Sequence, residues 1–249
     1  MLRVMSLMGL ALTACLALCR AASAGDDDIS APTLDWRETW IGADASSGSW
    51  SIYSGLSVAP LANFDAGGLR LRTSGGYGQY RYRHNEWTGN GLARVEHRGE
   101  VAFTDLLLGY QLRLAPLTVT GWAGAAAVAR QTTPFDRDDS GQGFTYGPKF
   151  AAESWLDIGA ASWAAFDLAW TSAQHEYATR VRAGYRLQPA LSVGIEGAAF
   201  GHTRYHGERA GAFVRYEWGG AEVSVGTGAA GDQVGCLAPY LSINALMRY

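Results

Sequence analysis

The feature that most constrains this chain is a repeated alternation. From Trp36 onward no long segment has helical periodicity. Runs of roughly ten residues instead place apolar and polar side chains at alternate positions, and Gly, Asn, Asp, Ser and Pro cluster between them. A period of two belongs to an extended strand with two unlike faces. The clearest run is 177–188, where Tyr177, Thr179, Val181, Ala183, Tyr185 and Leu187 oppose Ala178, Arg180, Arg182, Gly184, Arg186 and Gln188. In 191–202, Leu191, Val193 and Ile195 oppose Ser192, Gly194 and Glu196; in 239–249, Leu241, Ile243, Ala245, Met247 and Tyr249 oppose Ser242, Asn244 and Arg248. The others are 36–45, 50–58, 68–83, 93–113, 116–130, 142–157, 161–174, 207–217 and 220–228. Together they predict an all-β fold of about twelve antiparallel, hairpin-connected strands.

A soluble β-sandwich alternates as well, so further features must choose. Met1-Leu2-Arg3 is a short basic start, Val4–Leu18 is nearly all apolar, and Ala22-Ser23-Ala24 supplies small residues where a signal peptidase reads. This predicts an export signal over 1–24, then a short periplasmic segment over 25–35 and a barrel over 36–249. Leu12-Thr13-Ala14-Cys15 is a rival, lipoprotein-like cleavage box that would put a lipid on Cys15, but the apolar run continues past it. Short connections such as Gln188-Pro189 and Trp218-Gly219-Gly220 alternate with longer polar ones such as 132–141. The last run ends on an aromatic, Tyr249, which resembles the signal read by the outer-membrane assembly machinery. Export, short and long turns in alternation, and aromatic-flanked strands are the signature of an outer-membrane barrel, which closes all backbone hydrogen bonds in lipid. An even strand number puts both termini on the periplasmic side. Loops near 46–49, 84–92, 132–141, 203–206 and 229–237 then face outside.

Charge and cysteine content narrow the function. Removing Arg3 and Arg20 with the signal leaves 18 of 20 basic residues against 23 acidic ones, a net charge of −5. That argues against a nucleic-acid partner. Cys15 and Cys19 leave too, so Cys236 stands alone and neither a disulfide framework nor a Cys-rich metal site is possible. Asp136–Gly141 is acidic but lacks the spacing of an EF-hand loop. The five histidines show no arrangement with a nearby serine of the kind a barrel hydrolase needs. No cofactor is implied. Gly75-Gly76-Tyr77-Gly78 reads as a bend or bulge beside aromatics.

An Arg or Lys on the lipid face costs ~2–4 kcal/mol at mid-membrane, so the charged face of each strand must turn inward. Candidate lumen-facing residues are Asp105, Asp167, Arg180, Arg182, Arg186 and Glu196, with Arg113, Lys149, Glu153, Asp157, Arg215 and Glu222 beside them. The small residues Gly109, Ala165, Ala169, Gly184, Gly194 and Gly226 share this face and leave room for long arginines. The Arg180/Arg182/Arg186 ladder has two readings. It lines a conduit for an anionic or sugar-like solute, or it closes a packed ion-pair network with Glu196, Asp167 and Glu153. The network is the favoured reading, because mixed-sign interiors commonly neutralise themselves. Trp36, Trp40, Trp50, Tyr53, Trp87, Trp122 and Trp155 are read mainly as girdle aromatics at the membrane interfaces. A glucan platform is the alternative for them.

Trp40-Ile41-Gly42-Ala43-Asp44-Ala45-Ser46-Ser47-Gly48-Ser49 followed by Gly75-Gly76-Tyr77-Gly78-Gln79-Tyr80-Arg81-Tyr82 resembles the opening of the cellulose biosynthesis protein BcsS family. Leu108-Gly109-Tyr110-Gln111, Ala183-Gly184-Tyr185-Arg186, Gly194-Ile195-Glu196-Gly197 and Arg209–Phe213 fall where that family has similar strands, so the resemblance spans 38–249. It implies an outer-membrane component tied to cellulose production, and it carries no catalytic residues. The leading expectation is a non-enzymatic barrel that assists secretion or surface assembly of cellulose. Its partners are outer-membrane lipid and cellulose or other cellulose-synthesis components. A general small-solute channel and, third, a barrel enzyme acting on lipid or polysaccharide remain as alternatives.

Overall fold

The computed structural model describes residues 35–88, 91–135, 142–203, 205–232 and 237–249, with the backbone alone at 84, 86, 88, 92 and 232. The expected signal over 1–24, most of the segment 25–35, the acidic stretch 136–141 and Cys236 therefore lie outside the described residues.

The alternating runs become twelve strands. They are β1 (Arg37–Ser46), β2 (Ser49–Val58), β3 (Gly68–Thr88), β4 (Gly91–Leu114), β5 (Leu117–Thr133), β6 (Gly143–Ile158), β7 (Ser162–Thr171), β8 (Glu176–Gln188), β9 (Leu191–His202), β10 (Tyr205–Trp218), β11 (Ala221–Asp232) and β12 (Ala238–Arg248). Each pairs antiparallel with its sequence neighbours, and β12 returns to β1 to close the sheet. The seam runs from Glu38↔Arg248 to Ser46↔Tyr240 and finishes with a reciprocal pair. There Arg37 N–H donates to the Tyr249 carbonyl and Tyr249 N–H to the Arg37 carbonyl, both at 2.9 Å. Closure leaves no free edge along the barrel, which is what a lipid-embedded sheet requires. The outward positions are apolar: Ile41, Leu106, Leu108, Leu112, Phe150, Leu168, Val181, Ile195, Val214 and Ile243 all stand exposed. Such a continuous apolar exterior suits acyl chains rather than water.

β3 and β4 run longer than the alternation suggested. β2 stops pairing with β3 at Ser49↔Tyr80, and β5 stops pairing with β4 at Thr133↔Arg98. The β3–β4 ladder nevertheless continues to Thr88↔Gly91. A two-stranded hairpin thus stands beyond the barrel rim, with Tyr82 stacked on His97 at 5.2 Å on its inner face.

Gly75–Gly78 is not a bulge, because the register of β3 with both neighbours is unbroken there. Glycine serves another purpose. Among the described residues, eight inward aromatics sit directly across from a glycine on the adjacent strand and cover it, while Tyr240 faces Gly228 without covering it. The pairs are Trp40/Gly55, Tyr53/Gly42, Phe103/Gly76, Tyr80/Gly99, Trp122/Gly109, Trp163/Gly184, Phe213/Gly194 and Phe200/Gly207. A Cβ on any of these glycines would come within 3.0 Å of the partner's side chain. Each ring therefore lies flat over its neighbour's bare backbone, which pins the strand register as well as filling space. The room left by Gly109, Gly184 and Gly194 is taken by aromatic rings, not by arginines.

Candidate functional site

The lumen has two unlike halves. At the end where β1 starts and β12 finishes, the terminal end, it is filled. Trp155 stacks on Trp163 with centroids 4.3 Å apart, and Trp163 meets Phe213 at 5.6 Å. The Arg215 guanidinium lies 4.9 and 5.2 Å from the two indole rings and is bonded to Glu217 and Glu222 at 2.8 and 2.6 Å. Below this floor the connection 59–67 folds across the mouth. Its carbonyls are held by inward side chains: fully buried Arg70 takes those of Asn63 and Ala66, and Gln111 takes those of Phe64 and Ala66. Phe64 N–H donates to the Asp35 carbonyl at 3.0 Å. A loop so tied satisfies its backbone groups away from water.

The other half is a cavity of about 850 Å³. Its walls carry charge of both signs, arranged in pairs. Arg72, on β3, reaches Glu153, on β6, through two hydrogen bonds, one of them 2.8 Å long. The same guanidinium lies between Trp40 and Trp122, 5.0 and 4.0 Å from their ring centres, and the Trp122 indole N–H donates to Glu153 at 3.1 Å. Arg209 on β10 holds Asp44 on β1 at 2.7 Å. Glu196, only 4% exposed, accepts from Arg180 at 2.5 Å and from the Tyr240 hydroxyl at 2.8 Å. Lys149 pairs with Asp105, and Arg130 with Glu176 at 2.7 Å. Several of these links join strands three apart, so they cross the lumen as chords. Bidentate guanidinium–carboxylate contacts are the strongest of such interactions and fix geometry.

The candidates from sequence fall in different places. Asp105, Asp167, Arg180 and Arg182 line the cavity, and Glu196 lies buried behind it against Arg180. Arg186 sits near the terminal end, bonded to Asp157 at 2.7 Å. The ladder is therefore not one network with Glu196, Asp167 and Glu153. Arg180 alone takes Glu196, Glu153 belongs to Arg72, and Arg186 has its own acid. Arg182 and Asp167 close no ion pair among the described residues. The reason is spacing: Asp167 faces Arg180 across β7 and β8, but Arg180 turns the other way, to Glu196 on β9. The girdle reading fits Trp36 and Trp50, which are exposed, and not Trp87, which is exposed on the hairpin beyond the rim. It fails for Trp40, Tyr53, Trp122 and Trp155, which turn into the lumen. Arg72, Arg209, Asp44 and Tyr240 were missed. Leu69-Arg70-Leu71-Arg72 shows the necessary alternation, but Asp44 and Arg209 sit among small residues that blur it.

Two histidines make structural contacts: His97 Nδ1 lies 3.0 Å from the Pro134 carbonyl and His206 Nδ1 2.8 Å from the Tyr177 hydroxyl. Among the described residues no three His, Cys, Asp or Glu side chains converge as metal ligands.

Comparison with solved structures places the fold among outer-membrane barrels. The KdgM porin aligns at 8% identity and TM-score 0.51, covering 85% of this chain and 99% of the porin. An outer membrane channel of Pseudomonas putida F1 aligns at 11% identity and TM-score 0.52, covering 90% and 100%. The transport unit of the Escherichia coli autotransporter AIDA-I aligns at 12% identity and TM-score 0.51, covering 91% and 94%. At such identities the likeness speaks for the fold and the outer-membrane location alone. No curated protein matches by sequence. The family model of the cellulose biosynthesis protein BcsS, however, matches residues 39–249, nearly the whole barrel. The chain belongs to the cellulose biosynthesis protein BcsS family.

Proposed function

We propose that this barrel is a non-enzymatic outer-membrane accessory of cellulose biosynthesis that assists secretion or surface assembly of the polymer. In this reading the end with the termini faces the periplasm and the cavity opens to the outside, where the polymer and its assembly partners meet it. The observation that supports it most is the cavity itself: about 850 Å³, reaching Tyr80, His202 and Tyr205 towards the hairpin end, with acids and bases in near balance and aromatic side chains between them. Sites of roughly 300–1,000 Å³ suit small organic ligands, and a lumen without a large single-sign field suits an uncharged polymer better than an ionic cargo. Deleting the gene is expected to lower cellulose at the cell surface, with recovery on complementation. Unchanged cellulose output would overturn the role.

A small-solute channel is the second reading, and one observation favours it. A smaller cavity of about 240 Å³ opens at the terminal end, and its walls share Glu222 and Leu246 with the large one. Arg215, bonded to Glu222, lines the smaller one. Planar-bilayer recording distinguishes the readings: steady conductance of the wild-type barrel supports a channel, and silence supports an accessory whose lumen stays closed.

A further inference from the structure

The cavity contains one acid and one base that its other charges leave over. Glu38, Asp44, Asp105, Glu153, Glu176 and Glu222 are each taken by a specific Arg or Lys. Arg180 is taken by Glu196. Asp167 on β7 and Arg182 on β8 have no hydrogen bond or ion pair among the described residues, although both line the same cavity. They are diagonal neighbours, since Asp167 faces Arg180 and Ala165 faces Arg182 across the strand pair. Arg182 Nε is buried with no partner, and its guanidinium rests 5.8 Å from the Phe213 ring centre. The two charges attract one another across the diagonal, yet neither has a hydrogen-bond partner among the described residues. Polar groups out of bulk water are normally hydrogen-bonded, so two without such a partner side by side mark a place where a partner from outside fits.

The wall next to this pair is flat. Ala151 faces Ala169 across β6 and β7, and Ala169 faces Ala178 across β7 and β8. All three line the cavity, so a row of methyl groups runs across three strands beside Asp167.

The chemistry of the unmatched pair selects among ligands. A carboxylate or phosphate would gain Arg182 and be repelled by Asp167. A cation would meet the reverse. Hydroxyl groups both donate and accept, so adjacent hydroxyls of one sugar ring satisfy Asp167 as acceptor and Arg182 as donor together. We propose that Asp167 and Arg182, with the alanine row beside them, form a binding subsite for an uncharged oligosaccharide of the cellulose type. This deepens the proposed role in cellulose handling and rests on that reading for the identity of the sugar.

The test uses the full barrel in a detergent without a sugar headgroup, titrated with cellotetraose and followed by calorimetry and by intrinsic tryptophan fluorescence. Tetragalacturonate serves as the anionic comparison. Saturable binding of cellotetraose, stronger than that of tetragalacturonate, is expected. Asp167→Asn and Arg182→Gln should each weaken it by about tenfold or more, the loss that goes with one hydrogen bond to a charged group. Because neither residue closes an ion pair, both variants should keep wild-type heat-modifiable migration. If Arg182→Gln fails to fold, the nearly isosteric Asp167→Asn carries the test alone. Absence of saturable binding, affinity unchanged in Asp167→Asn, or preference for tetragalacturonate would overturn the subsite. Cellulose output after gene deletion is read separately. Output that falls without cellotetraose binding removes the subsite and keeps the role. Binding with output unaffected removes the role and keeps the subsite.

Discussion

The two halves of the lumen solve the same problem, filling the inside of a closed sheet, with different chemistry. Rings lie over bare glycine backbone in both, but only the terminal half stacks them into a solid layer: Trp163 over Gly184 and Phe213 over Gly194, with Trp155 stacked on Trp163. The other half uses charges joined as chords, Arg72 to Glu153 and Arg209 to Asp44, around open space. Aromatic packing excludes water and is stable by area alone, while a charged lumen tolerates water and leaves room for a guest. The difference teaches that rigidity and capacity are segregated along the barrel axis.

The comparison can be broken most severely at Trp163, which is 1% exposed. Trp163→Ala should cost about 3–5 kcal/mol, the range for deleting a buried aromatic, read as a lower urea midpoint of the folded barrel. A midpoint equal to wild type would mean that the terminal half is not the rigid one. Glu196→Gln comes next. It removes the carboxylate that gathers Arg180 and Tyr240, and a loss of about 1.5–3 kcal/mol is expected for hydrogen bonds to a charged group. A stabilised variant would show that this buried acid is held at a net cost. Deleting Tyr249 removes the reciprocal pair with Arg37 and should cost about 1–2 kcal/mol together with lower membrane yield. Tyr249→Ala keeps those backbone bonds, so equal losses in the two variants would assign the effect to the side chain instead. The smallest change is expected at Arg186, whose partner Asp157 has a side chain 43% exposed. Arg186→Gln should shift stability by about 0–1 kcal/mol, with a salt-insensitive midpoint in the variant. A larger loss would extend the buried network to the rim.

Strand number, face assignment and closure were legible because lipid imposes a strict rule on every outward position. Val181 and Ile195 had to point one way and Arg182 and Glu196 the other. Side-chain partners inside the lumen obey no such rule. Whether Arg180 meets Asp167 or Glu196 depends on which of two neighbouring strands it leans toward, and alternation carries no information about that. The same limit explains the tryptophans. Trp40 and Trp122 occupy inward phases in their strands, yet a general preference of tryptophan for interfaces outweighed the phase. The glycines opposite them were the overlooked signal, since a glycine one strand away from an inward ring is where that ring must lie.

The hairpin beyond the rim has its own consequence. From Tyr82 to Thr88 on β3, and from Gly91 to His97 on β4, each residue pairs only with the other arm. At about 3.4 Å per residue the arms rise roughly 20 Å past the rim. No barrel strand takes its register from them. Length can therefore be added or removed between Tyr82 and His97 two residues at a time, one from each arm, without re-registering a single lumen-lining pair. The stalk is an exchangeable part on a fixed socket, and the height at which the barrel displays its outermost residues can be tuned independently of what its cavity holds.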